Sequence, residues 1–332
     1  GELVGTGTLG FTWGDSEISD TLTIGASSTV ADGALSANVS LLGQLIDLAS
    51  EITGILPDAN TADNLTINNT TSITTTGAVQ ADSYQRSCPT GYIWVPGSAK
   101  HGTLPGFCVM KYEAKDDGAG NAISQAASTP WVSISQESAI AECRDAGSHL
   151  ISENEWMTIA ENIANNSANW ADGIIGSTVA SAGGLFRGNV GITDSVSYDG
   201  ADPEFGTGRN TKARHTLSNN NEIWDFSANV WEWTNQLAIQ NDVPKDATPA
   251  GEYIEYTALT TFKSFPNIRP QDDAWDSTYG VGKLYSQPDG TLIRAPLRGG
   301  DWSNGAVAGA FTAHFNSAPS STNASIGFRC AR

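Results

Sequence analysis

The chain has 332 residues, with 36 acidic against 17 basic side chains, a formal charge of −19, only 16% charged residues, and 35 Gly, 10 Trp, 10 Phe and 8 Tyr. Such a charge repels a phosphate backbone, which excludes nucleic acid as a partner. No run reaches the ~20 apolar residues of a transmembrane span, and the opening GELVGTGTLGF lacks the basic flank and apolar core of a signal peptide.

At this length two domains are expected, and the glycine-rich, aromatic-rich, weakly charged composition predicts an all-β or α+β architecture. The four cysteines, Cys88, Cys108, Cys143 and Cys330, form no CxxC pair. Two disulfides and an oxidising destination are the natural reading.

Residues 1–86 contain no cysteine and almost no aromatic residue after Trp13, and read as a separate stalk or oligomerisation domain of strands and a helix. TLTIGASSTV and NLTINNTTSITTT alternate apolar with small polar residues, as half-buried strands do. Between them a helix is predicted, ending at Pro57. In it Leu35, Val39, Leu42, Ile46 and Ala49 follow coiled-coil spacing, with Leu41, Leu45 and Leu48 widening the stripe. The stripe fits either the flanking strands of its own chain or an oligomeric stalk, a homotrimer through residues 33–56 being one form.

From residue 87 a dense domain is expected to run to 332. GYIWVPG and GFCVMKYEA read as strands, and Cys88 and Cys108 sit where they would tie such a hairpin. SQESAIAECRDAG is a predicted helix with Ala139, Ile140, Cys143 and Ala146 on one face and Gly147 as its stop. A second helix follows, with Ser152 and Glu155 at capping-box spacing and Trp156, Ile159, Ala160 and Ile163 on one face. Residues 165 to about 300 read as loops pinned by one Trp-rich island, EIWDFSANVWEWTN.

NVWEW at 229–233, HLISENEW at 149–156, RGGDW at 298–302 and GFRC at 327–330 resemble, in order, the signature set of the formylglycine-generating-enzyme branch of the C-type lectin fold. The resemblance implies an α+β lectin-like fold over 87–332, with a Cys143–Cys330 bridge from first helix to last strand and an N-terminal Cys88–Cys108 bridge. The oxidising enzymes of this branch hold copper on a reactive cysteine pair, and those bridges leave no cysteine for it. The related sulfoxide-forming enzymes use clustered histidines, whereas His101, His149, His215 and His314 show no ligand spacing. No hydrolase motif is present, and the pairs Asp116–Asp117 and Asp272–Asp273 read as solvated loop acids. A non-enzyme requiring no cofactor is expected. The resemblance also implies that Asn229, the Val230 carbonyl and Glu232 could hold a calcium ion; the other reading has Glu232 accepting hydrogen bonds from the protein, with Trp231 and Trp233 as core.

The segment 297–332 is also similar to the variable region of target-binding proteins diversified by retroelements. Arg298, Gly299, Gly300, Trp302, Gly305, Ala308, Gly309, Phe311, Pro319 and the run Ile326–Cys330 match the fixed frame of that family. Randomising the adenines of an AAC codon reaches Asn, Asp, Ser, Thr, His, Ala and Val but no stop. Asp301, Ser303, Asn304, Val307, His314, Asn316, Ser317, Ser321, Asn323, Ala324 and Ser325 belong to that set and are the expected ligand-binding residues. The implied function is recognition of a protein or glycan target on another cell or virus, by a protein displayed outside the cell on a virion or cell surface. A formylglycine-type oxidoreductase and a lectin of fixed specificity are the alternatives.

Overall fold

The computed structural model describes residues 87–190, 212–247, 250–262, 264–287 and 290–332. The stalk and the stripe at 33–56 lie outside these residues. No helix among those described is long and apolar enough to cross a membrane.

Two strands open the domain, β1 (Tyr92–Pro96) and β2 (Gly106–Met110), paired antiparallel with Trp94 opposite Cys108. A short hairpin follows, β3 (Lys115–Asp116) and β4 (Ala122–Ile123). Helix α1 (Gln136–Asp145) starts where the Ser135 hydroxyl accepts from the Ser138 N–H. It stops at Gly147, whose φ of +70° a side chain would resist. After β5 (His149–Leu150) comes α2 (Glu153–Ala164), which begins in the expected capping box: Ser152 accepts from Glu155 N–H while the Glu155 carboxylate accepts from Ser152 N–H. Trp156, Ile159, Ala160 and Ile163 are all buried, as their spacing predicts.

Beyond residue 165 the loop expectation needs correcting. The described part of this stretch carries β6 (Arg214–Thr216), β7 (Glu222–Trp224), β8 (Trp231–Trp233), β9 (Ala238–Ile239), β10 (Glu252–Ile254), β11 (Leu284–Ser286) and the start of β12 (Ile293–Arg298). All but β12 are two or three residues long, too short to display a period of two. The chain closes with β13 (Ala313–Ser317), β14 (Ile326–Phe328) and β15 (Cys330–Ala331).

The larger sheet has the order β10-β11-β13-β12-β8-β14, with β9 added on β12; the smaller has β1-β2-β15-β5. Directly paired residues share a face. Leu284 opposite Ala313 therefore points with Ile254 and Phe315 into the core that also holds Trp156, Ile159 and Ile163 of α2. Leu297 opposite Trp233, itself opposite Phe328, points into a second core with Ala139 and Cys143 of α1. The larger sheet is thus covered by α2 on one face and by α1 on the other.

Disulfides join Cys88 to Cys108 and Cys143 to Cys330. The second ties α1 to β15 across 187 residues, worth about 5 kcal/mol in the chain-entropy estimate.

Candidate functional site

The tail hangs between two buried arginines. Arg298, at the end of β12, forks onto the Glu153 carboxylate of α2 and donates from Nη1 to the Phe311 carbonyl at 2.9 Å. Arg329 donates from Nε and Nη2 to the two Glu232 oxygens, each at 2.6 Å, and also to the carbonyls of Met110, Trp224 and Asp225. Both guanidinium groups are fully out of solvent, so the arginines of RGG and GFRC are structural and offer nothing to a ligand.

Between them the frame and the gaps separate by burial. Of the fourteen frame residues, eleven are buried and only Trp302, Gly305 and Pro319 are half-exposed; of the eleven gap residues only Asp301 is buried. Glycine is required at two frame positions. A Cβ on Gly300, where φ is +92°, would stand 2.8 Å from the Ala308 Cβ, and one on Gly309 would stand 2.3 Å from the Val281 carbonyl carbon.

The loops that carry the gap residues are held by main-chain carbonyls. In the first, the Gly305 carbonyl accepts from Arg187 Nη1 at 3.3 Å, and the Val307 carbonyl accepts from Lys283 N–H at 2.9 Å and Thr312 Oγ1 at 2.6 Å. In the second, the carbonyls of Pro319, Asn323 and Ser325 accept from the N–H groups of Gln136, Ser133 and Trp231 at 2.8–3.0 Å. Any amino acid supplies those carbonyls, so the side chains of Val307, Asn323 and Ser325 are not what anchors the loops, whereas Gly305, with a φ of +55°, and Pro319 belong to the frame. Three gap residues do shape their own turns: Asp301 Oδ1 accepts from Ser303 N–H and Oγ, and Asn323 Oδ1 accepts from Ser325 N–H and Oγ. Asn304 Oδ1 in turn accepts from Asp301 N–H at 2.8 Å.

Between the two loops, on β13, lies the half-buried His314. Its ring stacks on Tyr285 at 4.6 Å and 17°, and stands 5.6 Å from Trp231 and 6.4 Å from Tyr253, which meets Tyr285 edge-on at 5.0 Å. The stack follows from register, because Tyr285 is opposite His314 and Tyr253 is opposite Tyr285 across three adjacent strands. Burial, helped by the Arg294 charge, depresses the His314 pKa to about 4, so the imidazole is neutral at physiological pH. Burial beside the Asp301 carboxylate lifts Tyr253 to about 12. His314, Asn316 and Ser317 lie together on β13, with Nδ1 of His314 3.4 Å from both the Asn316 nitrogen and the Ser317 hydroxyl. Tyr253, Tyr285 and Arg294 were not expected here; their strands sit in the stretch read as loop, and only an alignment of registers brings them to the tail.

The side chains expected to hold calcium have protein partners. Both Glu232 oxygens accept from Arg329, Asn229 Oδ1 accepts from Asn189 Nδ2 at 2.7 Å, and Asn229 Nδ2 donates to Glu113 at 2.6 Å. Asn229, Val230 and Glu232 are buried. Among the described residues no cluster of three or more His, Cys, Asp or Glu could hold a metal ion. His101 pairs with Glu161 at 3.0 Å, His149 with Glu155 at 2.9 Å, and His215 meets the Phe186 carbonyl at 2.9 Å. Asp116, Asp117 and Asp272 accept from loop amides, and Asp273 faces Arg269 at 3.3 Å.

No curated protein matches the chain. Among solved structures it is similar to the Major Tropism Determinant P3c variant (18% identity, TM-score 0.37), the I1 variant (17%, 0.37) and the U1 variant (16%, 0.35). Each match covers 74% of this chain and 52% of that one, so the chain spans about half the length of those proteins. The model of the Sulfatase-modifying factor enzyme 1-like domain, FGE-sulfatase, matches residues 60–332, and the chain belongs to that family, with the α+β lectin-like fold of its branch.

Proposed function

We propose that the protein is a non-enzymatic, hypervariable binder diversified by a retroelement and displayed on a virion or cell surface, where the tail recognises a protein or glycan on another cell or virus. The observation that carries the reading is the way the two tail loops are held: main-chain carbonyls anchor them, while ten of the eleven gap residues reach the surface. Recognition residues can then change without touching the frame.

In this reading His314, Asn316 and Ser317 form the middle of the contact surface, with Ser303, Asn304 and Val307 on one loop and Ser321, Asn323, Ala324 and Ser325 on the other. Asp301 acts as a turn former and sets the charge beside Tyr253. The tyrosines supply a constant aromatic floor to a surface whose variable members are small, in keeping with interfaces dominated by a few Tyr, Trp and Arg anchors. A homotrimeric stalk would let modest single-head affinity add up. The oxidising alternative needs a free thiol pair, and all four cysteines stand in disulfides.

The test is genetic. A near-copy of the tail-coding segment downstream of the gene, differing only at adenines of the copy and accompanied by a reverse-transcriptase gene, is the expected finding. Absence of both would leave a lectin-like domain of fixed specificity.

A further inference from the structure

Six side chains in and around the tail carry ring faces or polar groups that the fold does not use. Tyr253 and Tyr285 are half-buried, and among the described residues neither hydroxyl has a hydrogen-bond partner. Nδ1 of His314 is turned to the Asn316 N–H and the Ser317 hydroxyl, which leaves the ring proton on Nε2, where no described group accepts it. Asn316 Oδ1 is buried and meets no donor. Asp301, close enough to Tyr253 to oppose its ionisation, engages Ser303 through Oδ1 alone.

Next to Asp301 stands Trp302, half-exposed. Of the nine tryptophans described, seven are buried and Trp131 packs against the second core. The Trp302 ring belongs to no core cluster, stacks on no other ring, and has no partner for its N–H among the described residues.

A buried acceptor without a donor costs free energy, and here it sits with several other unused polar groups beside flat rings. A ligand that satisfies them needs a nonpolar face to lie on the rings and a rim of hydroxyls that both donate and accept. A sugar ring has that chemistry. Charge narrows the choice: Asp301 and Arg294 bring one charge of each sign to the cluster, and a chain of −19 repels an acidic sugar. A protein target fits less well. Of the ten gap residues that reach the surface, seven are Ser or Asn and the others are Val, His and Ala, so none is the large aromatic or arginine anchor that concentrates energy in a protein interface.

We propose that Tyr253, Tyr285, Asp301, Trp302, His314 and Asn316 take one residue of an uncharged glycan, its nonpolar face against the exposed rings and its hydroxyls on the unpaired polar groups. Tyr253, Tyr285 and Trp302 lie outside the gap set, so they fix the class of target while the gap residues choose among glycans. That division rests on the proposed function; the unpaired groups stand without it.

The test applies the full chain to an array of neutral, sialylated and sulfated glycans and titrates the strongest ligand by calorimetry. Binding to neutral glycans is expected, weakened at least about tenfold by Trp302→Ala and at least about threefold by Tyr253→Phe, with Tm unchanged. Tyr253→Phe removes only a hydroxyl without a protein partner, so it decides the matter should Trp302→Ala fail to fold. No binding anywhere on the array, a preference for acidic glycans, or an affinity indifferent to either substitution in a folded variant would overturn the inference; a target that proves to be a protein would do the same. The genetic test of the retroelement reading is independent, because a missing repeat with glycan binding intact would remove the diversity and keep the site.

Discussion

The two ends of the tail and its middle are built by opposite rules. At the ends, Arg298 and Arg329 are tied through their side chains, each to one particular carboxylate 145 and 97 residues away. In the middle, the loops at 301–307 and 319–325 are tied mainly through carbonyls that every residue owns. A single segment therefore concentrates its stability in a few unchangeable positions and leaves its neighbours nearly neutral.

The sharpest way to break this contrast is Arg329→Ala, which strands the fully buried Glu232 carboxylate. A loss of about 3–5 kcal/mol is expected in urea denaturation; a loss under 1 kcal/mol would mean the ends are no more demanding than the middle. Gly309→Ala should follow at about 2–3 kcal/mol, because the added methyl meets the backbone of Val281 rather than a movable side chain. In the middle, Ser303→Ala, Asn316→Ala and Ser321→Ala should each stay within about 0.5 kcal/mol, and combined they should remove target binding while leaving the melting transition in place.

His314 tests the boundary between the two rules. Its folded pKa, about 4, lies below the ordinary 6.5, so the unfolded chain binds more protons between those values. Stability should be fully present above pH 6.5 and should decline as pH falls toward 4. His314→Asn should flatten that decline, which denaturation at pH 7 and pH 5 would reveal; an unchanged slope would place the titrating group elsewhere.

Much of this was legible in the residues themselves. The helices showed because ten or more residues give a 3.6 period room to repeat, and the Ser152–Glu155 box is a local signal. The frame of the tail was marked by its resemblance to the variable region of retroelement-diversified proteins, and its glycines, aromatics and arginines are types that burial and tight turns demand. What stayed hidden depends on distance along the chain. The strands between 214 and 286 are too short to carry a period, so the Tyr253–Tyr285–His314 stack could not be foreseen. Glu232 has a chemistry that suits a calcium ion and a guanidinium equally well, and only the position of Arg329 decides between them.

The placement of β15 has a further effect on how the molecule is made. This strand lies between β2 and β5, and Cys330 within it closes on α1, while β14 and β13 complete the larger sheet. Until residues 326–331 have left the ribosome both sheets are unfinished, and the earlier strands wait with open edges. A chain cut short before residue 326 therefore lacks β14, β15 and the Cys143–Cys330 bridge, and such a truncation is expected to digest in limited proteolysis at once where the full chain resists.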